Sequence, residues 1–209
     1  MPLGVRSILS VVTLTAALAA GPAIGFAGGP AVAGGPAAAF AGGVSPARAA
    51  PGTAAPATHC VLAAGARAAT CYATFPAAIA AATGGRVRAP ASAAAAASDA
   101  RFAAALDDPS VTAASVVVGI EYTNANYSGS TLTLSAPGRC DDSNDADYWY
   151  ATLPAGWNDV ISSFRSYSNC AQQLFRNTYF QGGALTGILT NTPYVGAPAN
   201  DQASSITAN

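Results

Sequence analysis

Two stretches of the chain carry the same oxygen-rich pattern, Asn158-Asp159-Val160-Ile161-Ser162-Ser163 and Asn200-Asp201-Gln202-Ala203-Ser204-Ser205. Carboxylate, hydroxyl and peptide oxygens are hard donors, and calcium takes about six to eight such oxygens in irregular geometry. One carboxylate per ion among neutral oxygens implies modest affinity, suited to near-millimolar extracellular calcium. The same residue types also close turns through side-chain hydrogen bonds to the backbone, so ion-free corners are the competing reading.

Other reactive residues assemble less well. Asp141, Asp142, Asp145 and Asp147 gather within one short run, but the run lacks the turn glycine and distant bidentate glutamate of an EF-hand loop and reads as a solvated acidic loop. Tyr148-Trp149-Tyr150 is aromatic enough to dock a sugar or a protein, whereas Trp157, directly before the first oxygen-rich stretch, reads as core. His59 is the sole histidine and Glu121 the sole glutamate. No Ser/His/Asp or Cys/His arrangement, no acid–base carboxylate pair beside a groove and no phosphate loop follows from these residues. The chain is expected not to be an enzyme.

A second element repeats in step with the first. Tyr122-Thr-Asn-Ala-Asn-Tyr127-Ser-Gly129 and Phe175-Arg-Asn-Thr-Tyr-Phe180-Gln-Gly182 share the order aromatic, four residues, aromatic, one residue, glycine. A glycine permits positive φ at a bend over which two rings can pack. An aromatic hairpin followed by Asn-Asp-x-x-Ser-Ser, twice over Val116–Asn209, resembles the microbial βγ-crystallin superfamily. The resemblance implies two four-stranded Greek keys paired in one sandwich that holds two calcium ions. It further implies hydroxyl ligands from Ser162 and Ser204, main-chain carbonyls from Val160 and Gln202, and carboxylates from Asp159 and Asp201, each reaching the site formed mainly by the opposite motif. Ser163 and Ser205 would tie down the aromatic hairpins.

The surrounding elements fit a mainly β protein. Val116–Ile120 and Ser130–Leu134 read as strands, and short strands parted by Gly, Asn, Asp and Pro follow them. Before them, Cys71–Phe75 alternates as a strand, Pro76 suits a first helical turn, and Ala77–Ala82 runs to Gly84-Gly85. Ala89–Leu106 is expected to form a second helix. The expected organisation is an Ala/Gly/Pro-rich leader over 1–50, a small α/β segment over 51–109 and the crystallin-like sandwich over 110–209. Four cysteines allow three disulfide pairings, and Cys60–Cys71 with Cys140–Cys170 is favoured because each pair falls inside one segment.

Arg6 followed by the apolar run Ile8–Ala20 has the layout of an export signal, with small residues at Gly25-Phe26-Ala27 and Ala47-Arg48-Ala49 offering cut sites. An uncleaved anchor over Ser7–Phe26 is the alternative; after cleavage no membrane insertion is expected. With a formal charge of −1 and no basic cluster, nucleic acid is not an expected partner. The expected function is a secreted, calcium-stabilised structural or binding module. The alternative is a secreted proteinase inhibitor, because crystallin-like metalloproteinase inhibitors have a similar fold with two disulfides. Its candidate loop is Gly138–Leu153, and an extracellular protease would be the partner. A killer-toxin-like protein acting on a cell-surface ligand is a third reading.

Overall fold

Residues 57–110, 115–141 and 143–209 are described by a computed structural model. The expected signal and leader over 1–50 and the acidic residue Asp142 lie outside the described residues. In chain order the strands are β1 (His59–Ala63), β2 (Thr70–Tyr72), β3 (Val116–Asn124), β4 (Ser128–Ala136), β5 (Tyr148–Tyr150), β6 (Ser163–Ser166), β7 (Gln172–Phe175), β8 (Asn191–Thr192) and β9 (Ser205–Ala208). Helices α1 (Phe75–Thr83), α2 (Ala93–Ser98) and α3 (Ala100–Leu106) lie between β2 and β3.

The strands form a six-stranded sheet, β2-β1-β4-β3-β6-β8, and a three-stranded sheet, β5-β9-β7. β3 and β4 make an antiparallel hairpin, and β6 pairs with the other edge of β3. β5, which precedes β6 in the chain, crosses to pair with β9 in the other sheet. The second half repeats this exchange. β7 pairs with β9, Gln172 and Phe175 bridge to Leu189 and Ala184, and β8 crosses back to pair with β6. Each half therefore contributes one strand to its partner's sheet, which makes a two-motif Greek-key, βγ-crystallin-like sandwich preceded by a small α/β segment.

Leu132, Leu134, Phe164, Leu174 and Ile206 are fully buried between the sheets, with Trp157 beside them as the sequence suggests. Gly119 on β3 lies against Gln172 on β7, and a Cβ at that position would collide with the glutamine side chain. Glycine is needed there for close approach rather than for an unusual φ.

The opposite face of the large sheet is covered by the helices. Phe75, Ile79, Phe102 and Leu106 pack with Val117, Ile120, Tyr122 and Tyr167, so both faces of β3 are buried. This explains its nearly continuous apolar sequence. The segment set apart at 51–109 also extends the large sheet, since β1 runs parallel to β4 with Cys60 opposite Leu132 and Leu62 opposite Leu134. The sequence reading of 51–109 did not include β1. His59, at its start, is buried, places Nδ1 2.9 Å from Thr131 Oγ1 and stacks edge-on against Phe75, a structural placement whose burial lowers its pKa.

Two local expectations are corrected. The strand expected to reach Phe75 stops at Tyr72, because the Thr74 side chain accepts the Ala77 N–H and caps a helix that Phe75 already begins. The single helix expected over Ala89–Leu106 is two short ones. Asp99 leaves helical geometry, and its carboxylate accepts the Arg101 and Phe102 N–H groups at 2.8 and 3.2 Å, starting a new helix. Disulfides Cys60–Cys71 and Cys140–Cys170 follow the favoured pairing.

Candidate metal centre

The two aromatic hairpins are built alike. Tyr122 and Tyr127 have ring centroids 5.5 Å apart at 68°, and Phe175 and Phe180 are 5.5 Å apart at 76°. Each bend places two consecutive residues at positive φ, Asn126-Tyr127 and Tyr179-Phe180. Gly129 (φ 85°) and Gly182 (φ 73°) follow them, and a Cβ on either would come within 2.7 Å of the Asn124 or Asn177 side-chain nitrogen.

A buried serine locks each bend. Ser163 Oγ donates to the Asn124 carbonyl at 2.7 Å and accepts the Tyr127 N–H at 3.1 Å. Ser205 Oγ donates to the Asn177 carbonyl at 2.6 Å and accepts the Phe180 N–H at 3.1 Å. These are the tethering positions the resemblance implies for both serines.

The loops before β6 and β9 lie side by side. Asp159 N–H donates to the Ala203 carbonyl at 3.0 Å, and Asp201 N–H donates to the Ile161 carbonyl at 3.2 Å. Both aspartates adopt left-handed backbone, φ 56° and 55°, so each side chain leaves its own loop at a bend. One carboxylate oxygen of each is held by the preceding asparagine: Asn158 Nδ2 donates to Asp159 Oδ2 at 2.6 Å and Asn200 Nδ2 to Asp201 Oδ2 at 2.7 Å.

The other carboxylate oxygen faces the opposite motif. Ser204 Oγ is 3.4 Å from Asp159 Oδ1, and Ser162 Oγ is 3.4 Å from Asp201 Oδ1. Ser162 also donates to the Thr123 carbonyl at 2.9 Å. Both serines are buried while both aspartates are exposed, so each oxygen pair sits at the sandwich surface. A contact of 3.4 Å is long for a hydroxyl–carboxylate hydrogen bond, which closes to about 2.5–2.7 Å when well made. Two oxygens at that spacing can instead share a hard cation whose oxygen ligands lie about 2.3–2.6 Å away. Val160, partly buried, and Gln202, exposed, follow the two left-handed aspartates in the same loops.

Each place brings together one carboxylate and one hydroxyl oxygen, and main-chain carbonyls would complete the donor sets that the resemblance implies. They fit calcium and do not fit zinc, which favours cysteine and histidine. Among the described residues no group of three or more His, Cys, Asp or Glu side chains is placed to hold a metal ion, so carbonyls and solvent must complete any coordination shell here.

Two participants were not singled out in the sequence. The Thr123 carbonyl is reached only by folding the hairpin onto the loop, whereas Arg176, whose Nη1 donates to Gln202 Oε1 at 2.9 Å, is visible as the residue standing opposite Thr123 when the hairpins are overlaid.

The remaining candidates lie elsewhere. Asp141 Oδ1 accepts the Ser143 N–H at 2.6 Å and Asp147 Oδ2 accepts the Asp141 N–H at 3.2 Å, so these carboxylates serve their own loop. Hydrogen bonding to the Ser143 side chain, and then to its backbone, holds the Asp141 carboxyl below the ordinary range. On β5 the side chains alternate: Tyr150 is buried and donates to the Ser135 carbonyl at 3.0 Å, while Trp149 is 55% exposed.

No family model matches the chain, and no curated protein does. Among solved structures it is similar to a βγ-crystallin domain from Clostridium beijerinckii at 24% identity, covering 44% of this chain and 95% of that one with a TM-score of 0.34. It is also similar to a βγ-crystallin domain from Flavobacterium johnsoniae at 23% identity, covering 44% and 93% with a TM-score of 0.32. The N-terminal domain of protein S is similar at 19% identity, with 44% and 94% covered and a TM-score of 0.33.

Proposed function

We propose that the chain is an exported, non-catalytic binding module that takes up one calcium ion at each of its two crossed loop sites. Asp201, Ser162 and the Val160 carbonyl would hold one ion, with the Thr123 carbonyl nearby. Asp159, Ser204 and the Gln202 carbonyl would hold the other. The observation that carries this reading is the reciprocal exchange, in which each motif's free carboxylate oxygen faces the other motif's serine. The ion supplies positive charge that draws both motifs' oxygens together, and binding to the folded state alone raises stability by mass action. Two disulfides among the described residues and the apolar run near the amino terminus support export.

Thermal unfolding of the full chain in EDTA and in several millimolar calcium tests the proposal. At calcium about tenfold above Kd, two sites would together add roughly 3 kcal/mol. That corresponds to a midpoint rise of roughly 5–10 °C, reversible by chelator. The Asp159→Ala/Asp201→Ala double variant should show no rise. A wild-type midpoint indifferent to calcium would leave the loops as ion-free corners.

A second reading, inhibition of an extracellular proteinase, draws on the Gly138–Leu153 loop. The Cys140–Cys170 disulfide tethers the start of that segment, and Trp149 on β5 within it is exposed, giving a restrained segment with an accessible ring of the kind a protease cleft accepts. Inhibition of a metalloproteinase panel that survives the double aspartate variant but is lost on Trp149→Ala would favour it.

A further inference from the structure

The two loop sites share backbone bonds, capping asparagines and serine–carboxylate spacing, yet among the described residues an arginine hydrogen-bonds only to the second loop. Arg176 Nη1 donates to Gln202 Oε1 at 2.9 Å, and Gln202 Nε2 donates to the Asp201 carbonyl at 2.8 Å, so the Gln202 amide is held at both ends. At the matching places in the first motif stand Thr123 and Val160, which have neither a positive charge nor an amide. We propose that Arg176, docked on Gln202, makes the two calcium sites unequal, weakening the site of Asp159 and Ser204 and leaving that of Asp201 and Ser162 to fill first. This rests on the calcium reading above and adds the order in which the sites load.

Gln202 is the residue whose main-chain carbonyl would serve the weaker site, so the docked guanidinium would lie about one glutamine side chain from an ion held there. Arginine stays charged at any working pH, and a unit charge at that remove lowers affinity for a divalent ion about fivefold in a water-like dielectric. Arg176 and Gln202 are both exposed, so salt must screen the effect. The pairing also makes Gln202 a switch of reach: without the amide, the arginine loses the bond that holds it over the loop.

Calcium titration calorimetry on the full chain tests this. Wild type should show two unequal sites. In an Asp201→Ala background, where the Asp159 site alone remains, Arg176→Thr should tighten calcium about fivefold at low ionic strength, and the gain should shrink below about twofold near 1 M salt. Gln202→Val should reproduce part of the gain by releasing the arginine. Equal sites in wild type, or an Arg176→Thr variant that binds calcium equally well or more weakly, would overturn the inequality while leaving calcium binding intact. Absence of binding in wild type would instead overturn the calcium reading and this inference with it. Chemical unfolding of Arg176→Thr in EDTA, expected to match wild type, separates a charge effect from a damaged fold.

Discussion

The two motifs carry the same local chemistry in very different surroundings. In the first, β3 and β4 are each nine residues long, and β3 is buried by the sandwich core on one face and by the helices on the other. In the second, β7 and β9 have four residues each, residues 183–189 after the hairpin contribute only isolated bridges, and Ile188 and Leu189 are exposed. Both nevertheless close their hairpins with the same ring pair and serine, and both aim one aspartate oxygen at the opposite loop. Site geometry is thus set by the short repeated motif, while stability is concentrated in the half that acquired an extra strand and helices. An ion shared between the halves would contribute most where strand pairing is sparse.

The largest test of that contrast is to truncate the same ring in each hairpin. Tyr122 is fully buried, so Tyr122→Ala should cost roughly 3–5 kcal/mol, whereas partly buried Phe175 should cost about half as much. Urea unfolding measures both, and equal losses would break the proposed division of stability.

A smaller effect sharpens the likeness instead. Ser163→Ala and Ser205→Ala each leave a hairpin carbonyl and N–H without the same partner, so each should lose about 1–2 kcal/mol, by matching amounts. A clear inequality would show that the two bends are not energetic equivalents.

The smallest effect at acid pH concerns Glu121, which lies in the first motif opposite Leu132 and Phe164 with no exposed surface. Among the described residues its carboxyl oxygens make no well-formed hydrogen bond, and the Gln172 side chain, which donates to Ser166 Oγ at 3.0 Å, only partly offsets burial. Burial therefore pushes the carboxyl well above its usual range. The folded state holds the proton more tightly than the unfolded chain. Its stabilising effect is full below the unfolded pKa of about 4.3 and is lost as pH rises toward the folded value. The buried neighbours Tyr122 and Tyr150 are themselves pushed upward and stay neutral through that window. Glu121→Gln should match wild type near pH 4 and become progressively more stable than it toward neutral and alkaline pH. A constant difference across pH would show that the carboxyl does not titrate this way.

Much of this contrast was legible along the chain because the hairpin and loop motifs are contiguous. Six residues suffice to mark Asp159 and Ser162, or Asp201 and Ser204, and repetition in the same order tied each hairpin to its loop. What adjoins them was hidden by distance in sequence. Strand β1 is short and Ala-flanked, and it becomes a strand by parallel pairing with β4, 72 residues on at His59 and Thr131. The helix break at Asp99 was written locally as a cap, but the Ala-rich run around it masks the signal. Glu121 reads as an ordinary polar residue until both faces of β3 are covered. The Arg176–Gln202 bond likewise joins residues 26 apart.

The central claim is most directly tested by counting the calcium ions bound to chelator-treated full-length protein by equilibrium dialysis, across the micromolar to millimolar range. Two ions per chain are expected for wild type, about one for either single Asp159→Ala or Asp201→Ala variant, and none for the pair. No bound calcium up to several millimolar, or two ions retained when both aspartates are replaced, would contradict the crossed-loop sites.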